Sequence, residues 1–209
     1  MHPAVPEVPA EILAFFPEST RPLVKEYFQR YRFRFHITRP RKQKLGSFRA
    51  SSGGILPLIS INNDLGPHMF LLVFLHELAH LAVWNKHGRR AAPHGTEWKS
   101  LFQELALPLF QDSRLPESFK DGLLHFFRKT PASFQRDVAF QQLIQSLDGQ
   151  EPLFTLADLN LNESFRLHDG RTFVKLQKMR TRYKCYCPAN RRYYLVSGCA
   201  QIIPVETKH

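Results

Sequence analysis

His76-Glu77-Leu78-Ala79-His80 is the stretch of this chain whose residue types and spacing could do chemistry. On a helix, two histidines four residues apart share one face. Their ring nitrogens can then hold one Zn²⁺, and Glu77 can act on water beside the ion without being a ligand. That arrangement is the working part of many zinc peptidases. A buried helix face is a costly place for two imidazoles and a carboxylate unless something pairs them.

A catalytic zinc usually takes three protein ligands and leaves one position open. His94 suits the third place. It lies fourteen residues beyond His80 in Pro93-His94-Gly95-Thr96-Glu97-Trp98, where Gly95 permits a sharp turn. Glu97, Glu104 and His87 are the rivals. His87 does not fit the compact H-E-x-x-H-x-x-G-x-x-H pattern, since Val83 stands where that pattern needs Gly. Glu97 or Glu104 would give a two-His-one-Glu site and stay open as alternatives, though both read more simply as solvated carboxylates.

The elements that must position these residues are legible from periodicity. Met69 to Leu75 is apolar and continues as Leu78-Ala79-Leu81-Ala82-Val83-Trp84, free of Pro and Gly, which predicts a helix from about Pro67 to Lys86. Trp98, Leu101, Phe102 and Leu105 repeat at helical spacing and predict a second helix from near Thr96. Ser19 suits an N-cap and Pro22 the first turn of a helix to about Tyr31. Phe33, Phe35 and Ile37 alternate with Arg32, Arg34 and His36, which predicts a strand. Residues 46–51 and 55–61 read as a hairpin about Gly53-Gly54. Helical patterns recur near 116–129 and 131–147, the latter marked by Phe134, Val138, Leu143 and Ile144. After Asp148-Gly149-Gln150, short β-like runs with turns at Asp169-Gly170 and Pro188-Ala189-Asn190 predict a small antiparallel sheet.

From roughly Arg39 to Leu107 the chain resembles the SprT-like, Spartan-related family of zinc metallopeptidases. Gly46-Ser47-Phe48, Ile59-Ser60-Ile61-Asn62, His76-Glu77-Leu78-Ala79-His80-Leu81 and His94-Gly95-Thr96-Glu97-Trp98 carry the resemblance. It implies one catalytic Zn²⁺ held by His76, His80 and His94, with Glu77 as acid and base. It implies an α+β fold: a zincin-like core of small sheet plus H-E-x-x-H helix over 1–149, then a small antiparallel β-subdomain over 150–209. It also implies a protein or peptide substrate, in particular proteins bound or crosslinked to DNA, and a place in DNA repair. Many relatives carry a four-Cys zinc ribbon in the C-terminal region. Here Cys185, Cys187 and Cys199 are the only cysteines, so a closed four-Cys site cannot form in one chain. The segment reads as a degenerate, metal-free ribbon. A three-Cys-one-His site using His168 or His209 has no recognisable spacing.

Composition adds bounds. The 209 residues suffice for one good core and a small appendage. Three cysteines without a disulfide framework suit a reducing compartment, and the N-terminus lacks the pattern of a secretory signal, so a cytoplasmic location is expected. His76, Glu77 and His80 interrupt the longest apolar run, so no membrane span is expected. The net charge of +11 favours polyanions. The cations cluster at Arg39–Lys44, at Lys175–Lys184 and at Asn190–Tyr194. The last two clusters interleave with Tyr, which suits phosphate contact plus base stacking. Arg180, Arg182, Lys184, Arg191 and Arg192 are therefore the candidate contacts to nucleic acid, with single-stranded DNA as the suggested partner. The competing class is a nucleic-acid-binding protein with a vestigial or structural zinc site.

Overall fold

The structure, a computed structural model, describes residues 8–41, 44–129, 137–150, 154–180 and 182–205. It is mixed α+β. Helices α1 (Ala10–Leu13) and α2 (Arg21–Arg30) precede strands β1 (Arg34–Thr38), β2 (Gly46–Arg49) and β3 (Leu58–Asn62). Helices α3 (Pro67–His87), α4 (Thr96–Gln111), α5 (Glu117–Lys129) and α6 (Val138–Leu147) follow. Strands β4 (Ser164–Arg166), β5 (Thr172–Lys178), β6 (Arg182–Cys187), β7 (Arg192–Ser197) and β8 (Ile203–Val205) complete the chain. Two compact units result, one from residues 1–130 with 147–150 and the other from 131–146 with 151–209. Helix α6 thus groups with the C-terminal strands. The expected helix over 131–147 is seen as Val138–Leu147, and residues 130–136, Phe134 among them, lie outside the described residues, as do Lys42 and His209.

In the first unit, α3 is apolar on nearly every side, which is the signature of a core helix rather than a surface one. Thirteen of its 21 residues are buried. Phe70 and Phe74 are fully buried and meet Phe15, Phe16, Phe28 and Phe35 at ring-centroid distances of 5.0–6.4 Å. Each such phenyl contributes roughly 1.5–3 kcal/mol by leaving water. The window Pro67–Arg90 is long and apolar enough to cross a membrane by length and composition, contrary to the expectation from its interrupting charges. Seventy-two per cent of its apolar 18-residue window is buried inside the protein, as befits the core.

The three strands are ordered β1-β3-β2. Strand β2 is antiparallel to β3, and Gly53 and Gly54 turn the connecting loop with φ of +57° and +78°, values suited to glycine. Strand β1 runs parallel to β3, a pairing that alternation alone does not foretell. Ile59 and Ile61 of β3 are fully buried on the helix side.

The start of α2 differs from expectation. Thr20, not Ser19, is the N-cap of α2, and its hydroxyl donates to the Pro17 carbonyl instead of bonding a helix N–H. The N-cap of α3 is Gly66, which has no side chain to cap with. Asp148 does so from eighty residues away, accepting from the N–H groups of His68 at 2.8 Å and Met69 at 3.2 Å. A side chain on Gly66 would occupy the space of the Asp148 carboxylate.

The second unit holds a five-stranded antiparallel sheet in the order β7-β6-β5-β4-β8. One face packs Phe165, Phe173, Cys185 and Cys187 against Leu156, Leu159 and Ile202.

Candidate metal centre

Helix α3 presents His76 and His80 one turn apart. The short turn after it brings His94 back, so that its Nε2 lies 3.0 Å from Nε2 of His80 and 3.2 Å from Nε2 of His76. Ligand nitrogens around a tetrahedral ion at Zn–N distances of about 2.0–2.1 Å lie about 3.3 Å apart. The triad is thus already spaced as a ligand set. Among the described residues it is the one group of three or more His, Cys, Asp or Glu side chains gathered closely enough to hold a metal ion. Of the alternative ligands, Glu97 and Glu104 are exposed on α4 and His87 ends α3; none joins the group.

The turn is built differently from the expected one. His94 itself takes the left-handed conformation, φ +57°, a cost that non-glycine residues bear mostly at functional sites. Gly95 is extended and acts as N-cap of α4. It is small for a different reason: a Cβ there would meet the Ala92 carbonyl oxygen at 3.1 Å and Glu97 Oε2 at 3.3 Å.

Trp98 is a site residue that periodicity marks only as core. Its indole ring lies 4.6, 5.4 and 4.7 Å from the rings of His76, His80 and His94. Its Nε1–H donates to the His76 carbonyl at 3.4 Å. Phe48 of β2 stacks on His80 from the sheet side, with centroids 6.3 Å apart. An apolar wall therefore holds the imidazoles in place.

That wall also sets their charge. Burial, with each other's proximity, pushes His76 down to about 2 and His80 down to about 4. Both are neutral at physiological pH, the state in which imidazole binds metals. Convergent, neutral nitrogens are a donor set that fits a metal ion.

Glu77 points to the sheet side of α3 and is 7% exposed. Burial pushes its carboxyl up to about 7, while the Phe48 backbone N–H, which donates to it, and the charges of Arg41 and Lys44 pull the other way. Arg41 is not a free surface cation. Its guanidinium donates to Asn62 Oδ1 at 2.7 Å, Ser60 Oγ at 3.0 Å and Ser47 Oγ at 3.2 Å, tying β2 to β3.

The candidate nucleic-acid residues do not form one surface. On β6, Tyr183, Cys185 and Cys187 belong to the packed face, so Arg182, Lys184 and Tyr186 share the other. There Lys184 Nζ sits 4.4 Å from the centroid of the Tyr193 ring, and Tyr186 and Tyr193 lie 5.3 Å apart. Arg192 pairs with Cys187 and so falls on the packed side. Arg191 occupies a turn at φ +56°, and Arg180 lies in the turn between β5 and β6. Lys175 is not a surface cation. It is 3% exposed, its Nζ donates to the carbonyls of Ala157 and Leu159, and it sits 4.0 Å from the centroid of the Tyr183 ring. Cys185 and Cys187 are core residues, and His168 pairs with Gln201 at 3.1 Å.

Comparison with known proteins bears on the first unit alone. The SprT-like family model matches residues 20–118, just under half of the chain. No similar curated protein and no similar solved structure is found. The matched segment runs from the start of α2 through the histidine triad into α5. Residues 20–118 of this chain are thus similar to the SprT-like family, and they contain a histidine triad positioned to hold a metal ion.

Proposed function

We propose that the chain is a zinc-dependent peptidase with a zincin-like core, acting in the cytoplasm on proteins bound or crosslinked to DNA. The observation that carries the peptidase reading is the convergence of three imidazole Nε2 atoms one residue away from a buried carboxylic acid. Three nitrogen donors with a fourth position open suit zinc. When bound, zinc supplies Lewis acidity toward a peptide carbonyl and toward water.

The protein's own groups do the rest. Glu77, lifted to about 7 by burial, exchanges a proton readily near neutrality. It takes one from the attacking water and returns it to the leaving amine. The Phe48 N–H holds the carboxylate in place. Strand β2 is at the sheet edge, and that edge offers a substrate strand backbone partners beside His80.

Support for the DNA half of the reading is the family match together with the outer face of the second sheet. There Arg182 and Lys184 lie in line with Tyr186, whose ring is tilted against that of Tyr193 at 5.3 Å, a set suited to phosphates and bases of a single strand. The sheet itself we read as a degenerate ribbon held by packing. The rival reading, a binding protein with a structural metal, leaves a buried acid beside the ligands without a task. Degradation of casein or histone, with and without single-stranded DNA, tests both halves. Zinc-loaded wild type should cleave, faster with DNA, and Glu77→Gln should not. Absence of cleavage in wild type would contradict the reading.

A further inference from the structure

The first unit carries a second charged surface that the peptidase reading does not use. Residues 27–63 contain eight Lys and Arg and no Asp or Glu. The sheet gives that imbalance a direction. Phe35, Ile37, Phe48, Ile59 and Ile61 alternate toward α3, so their neighbours face outward. Register places Arg34 of β1 and Arg49 of β2 on either side of Leu58 of β3. The next row is His36, Ser60 and Ser47. Arg34, His36 and Arg49 are exposed, as are Arg39 and Lys44 at the same sheet's loops.

Among the described residues, no ion pair engages Arg34, Arg39, Lys44 or Arg49. Arg41 covers the second row, and its hydrogen-bond partners are all neutral. Glu77, whose ionisation Arg41 and Lys44 favour, lies on the helix side of the sheet.

We infer that this outer face of the β1-β3-β2 sheet docks the phosphate backbone of duplex DNA. Charge complementarity carries the inference. Arg34 and Arg49 are about two strand spacings apart, roughly 10 Å, on backbones fixed by pairing to the same central strand. A duplex is a rigid polyanion with one charge per about 1.7 Å of axis, twice the linear density of one of its strands. The rows over Leu58 and Ser60 present no Phe, Tyr or Trp. They offer no platform for stacking bases and suit a paired helix whose bases are already stacked. The tyrosine-bearing face of the second sheet has the opposite character. The inference does not depend on hydrolysis.

The test uses the full-length, zinc-loaded chain and fluorescence anisotropy with short labelled duplex and single-stranded DNA over a salt series. Arg34→Gln/Arg49→Gln is compared with wild type after circular dichroism and zinc content show both intact. Two lost phosphate contacts should make the slope of log affinity against log salt shallower by about 1.8. Duplex affinity at ~0.15 M salt should fall roughly thirtyfold. Single-strand affinity should change much less, and Glu77→Gln should bind duplex like wild type. The inference is overturned if wild type fails to bind duplex, or if the double variant keeps its affinity and slope. It is also overturned if polyglutamate or anionic vesicles displace the duplex at equal charge concentration, which would make the face a site for acidic proteins or membranes.

Discussion

Gly46 and Glu77 are in such close approach that a methyl group on Gly46 would lie 2.8 Å from Glu77 Oε1 and 2.6 Å from Val73 Cγ1. The edge strand can lie against α3, and its Phe48 N–H can reach the carboxylate, only because residue 46 has no side chain. Gly46→Ala should therefore displace Glu77 or push β2 outward. Overpacking of this kind costs about 1–3 kcal/mol. Zinc content should persist while peptide hydrolysis falls at least tenfold, because the acid moves and the ligands do not. Full activity in a folded Gly46→Ala protein would separate this contact from function.

The metal site predicts one tightly held ion per chain. His94→Ala should lose metal sharply under mild chelation, whereas Glu104→Ala should retain it, since Glu104 is exposed and outside the triad. Trp98→Ala tests the wall behind the ligands. Groups that orient ligands are typically worth ten- to a hundredfold in metal affinity. Competitive zinc titration of the three variants distinguishes these roles, and full zinc retention in His94→Ala would remove it from the ligand set.

Acid should act on the metal-free protein with opposing signs. His76 and His80 are held below their usual range, so the unfolded chain takes up protons that the folded chain refuses, and stability falls as pH drops below about 6.5. Glu77 is raised to about 7, so between its ordinary value and about 7 the folded state holds the extra proton. Its contribution to stability grows as pH falls through that window. Glu77→Gln removes this opposing gain. From pH 7 to about 4.5 its apoprotein should lose stability more steeply than wild type, by up to about 1.4 kcal/mol per pH unit. Denaturant midpoints at several pH values measure the two slopes; a shallower slope in the variant would contradict the direction assigned to Glu77.

On the second sheet, Arg182→Ala/Lys184→Ala should weaken single-stranded DNA binding and make its salt slope shallower by about 1.4, at about 0.7 per contact. Arg191→Ala/Arg192→Ala should do less, because Arg192 lies on the packed side of the strand and Arg191 in a turn. Equal losses from the two pairs would mean that charge, rather than the face bearing Tyr186 and Tyr193, governs binding.

What the sequence discloses about this molecule divides by range. The i, i+4 histidines, the long apolar helix and the Gly53-Gly54 turn are local patterns, and each corresponds to an observed element. The parallel pairing of β1 with β3 and the capping of α3 by Asp148 join residues far apart in the chain, where periodicity carries no information. Charge was misleading at single positions. Lys175 reads as part of a basic cluster yet is buried, because the strand's alternation turns it toward carbonyls and Tyr183. Arg41 belongs to a basic run yet is engaged in bonding two strands. Gly95 reads as the turn residue, yet His94 takes the left-handed conformation and Gly95 is small to admit the Ala92 carbonyl.

The most direct measurement is casein hydrolysis by wild type and Glu77→Gln at equal, verified zinc content. Glutamine keeps the size and hydrogen bonding of Glu77 but cannot accept a proton from water. Turnover should fall about a hundredfold to ten-thousandfold with metal binding and thermal stability retained at neutral pH. Equal turnover in the two proteins would contradict the account and leave the triad as a structural metal site.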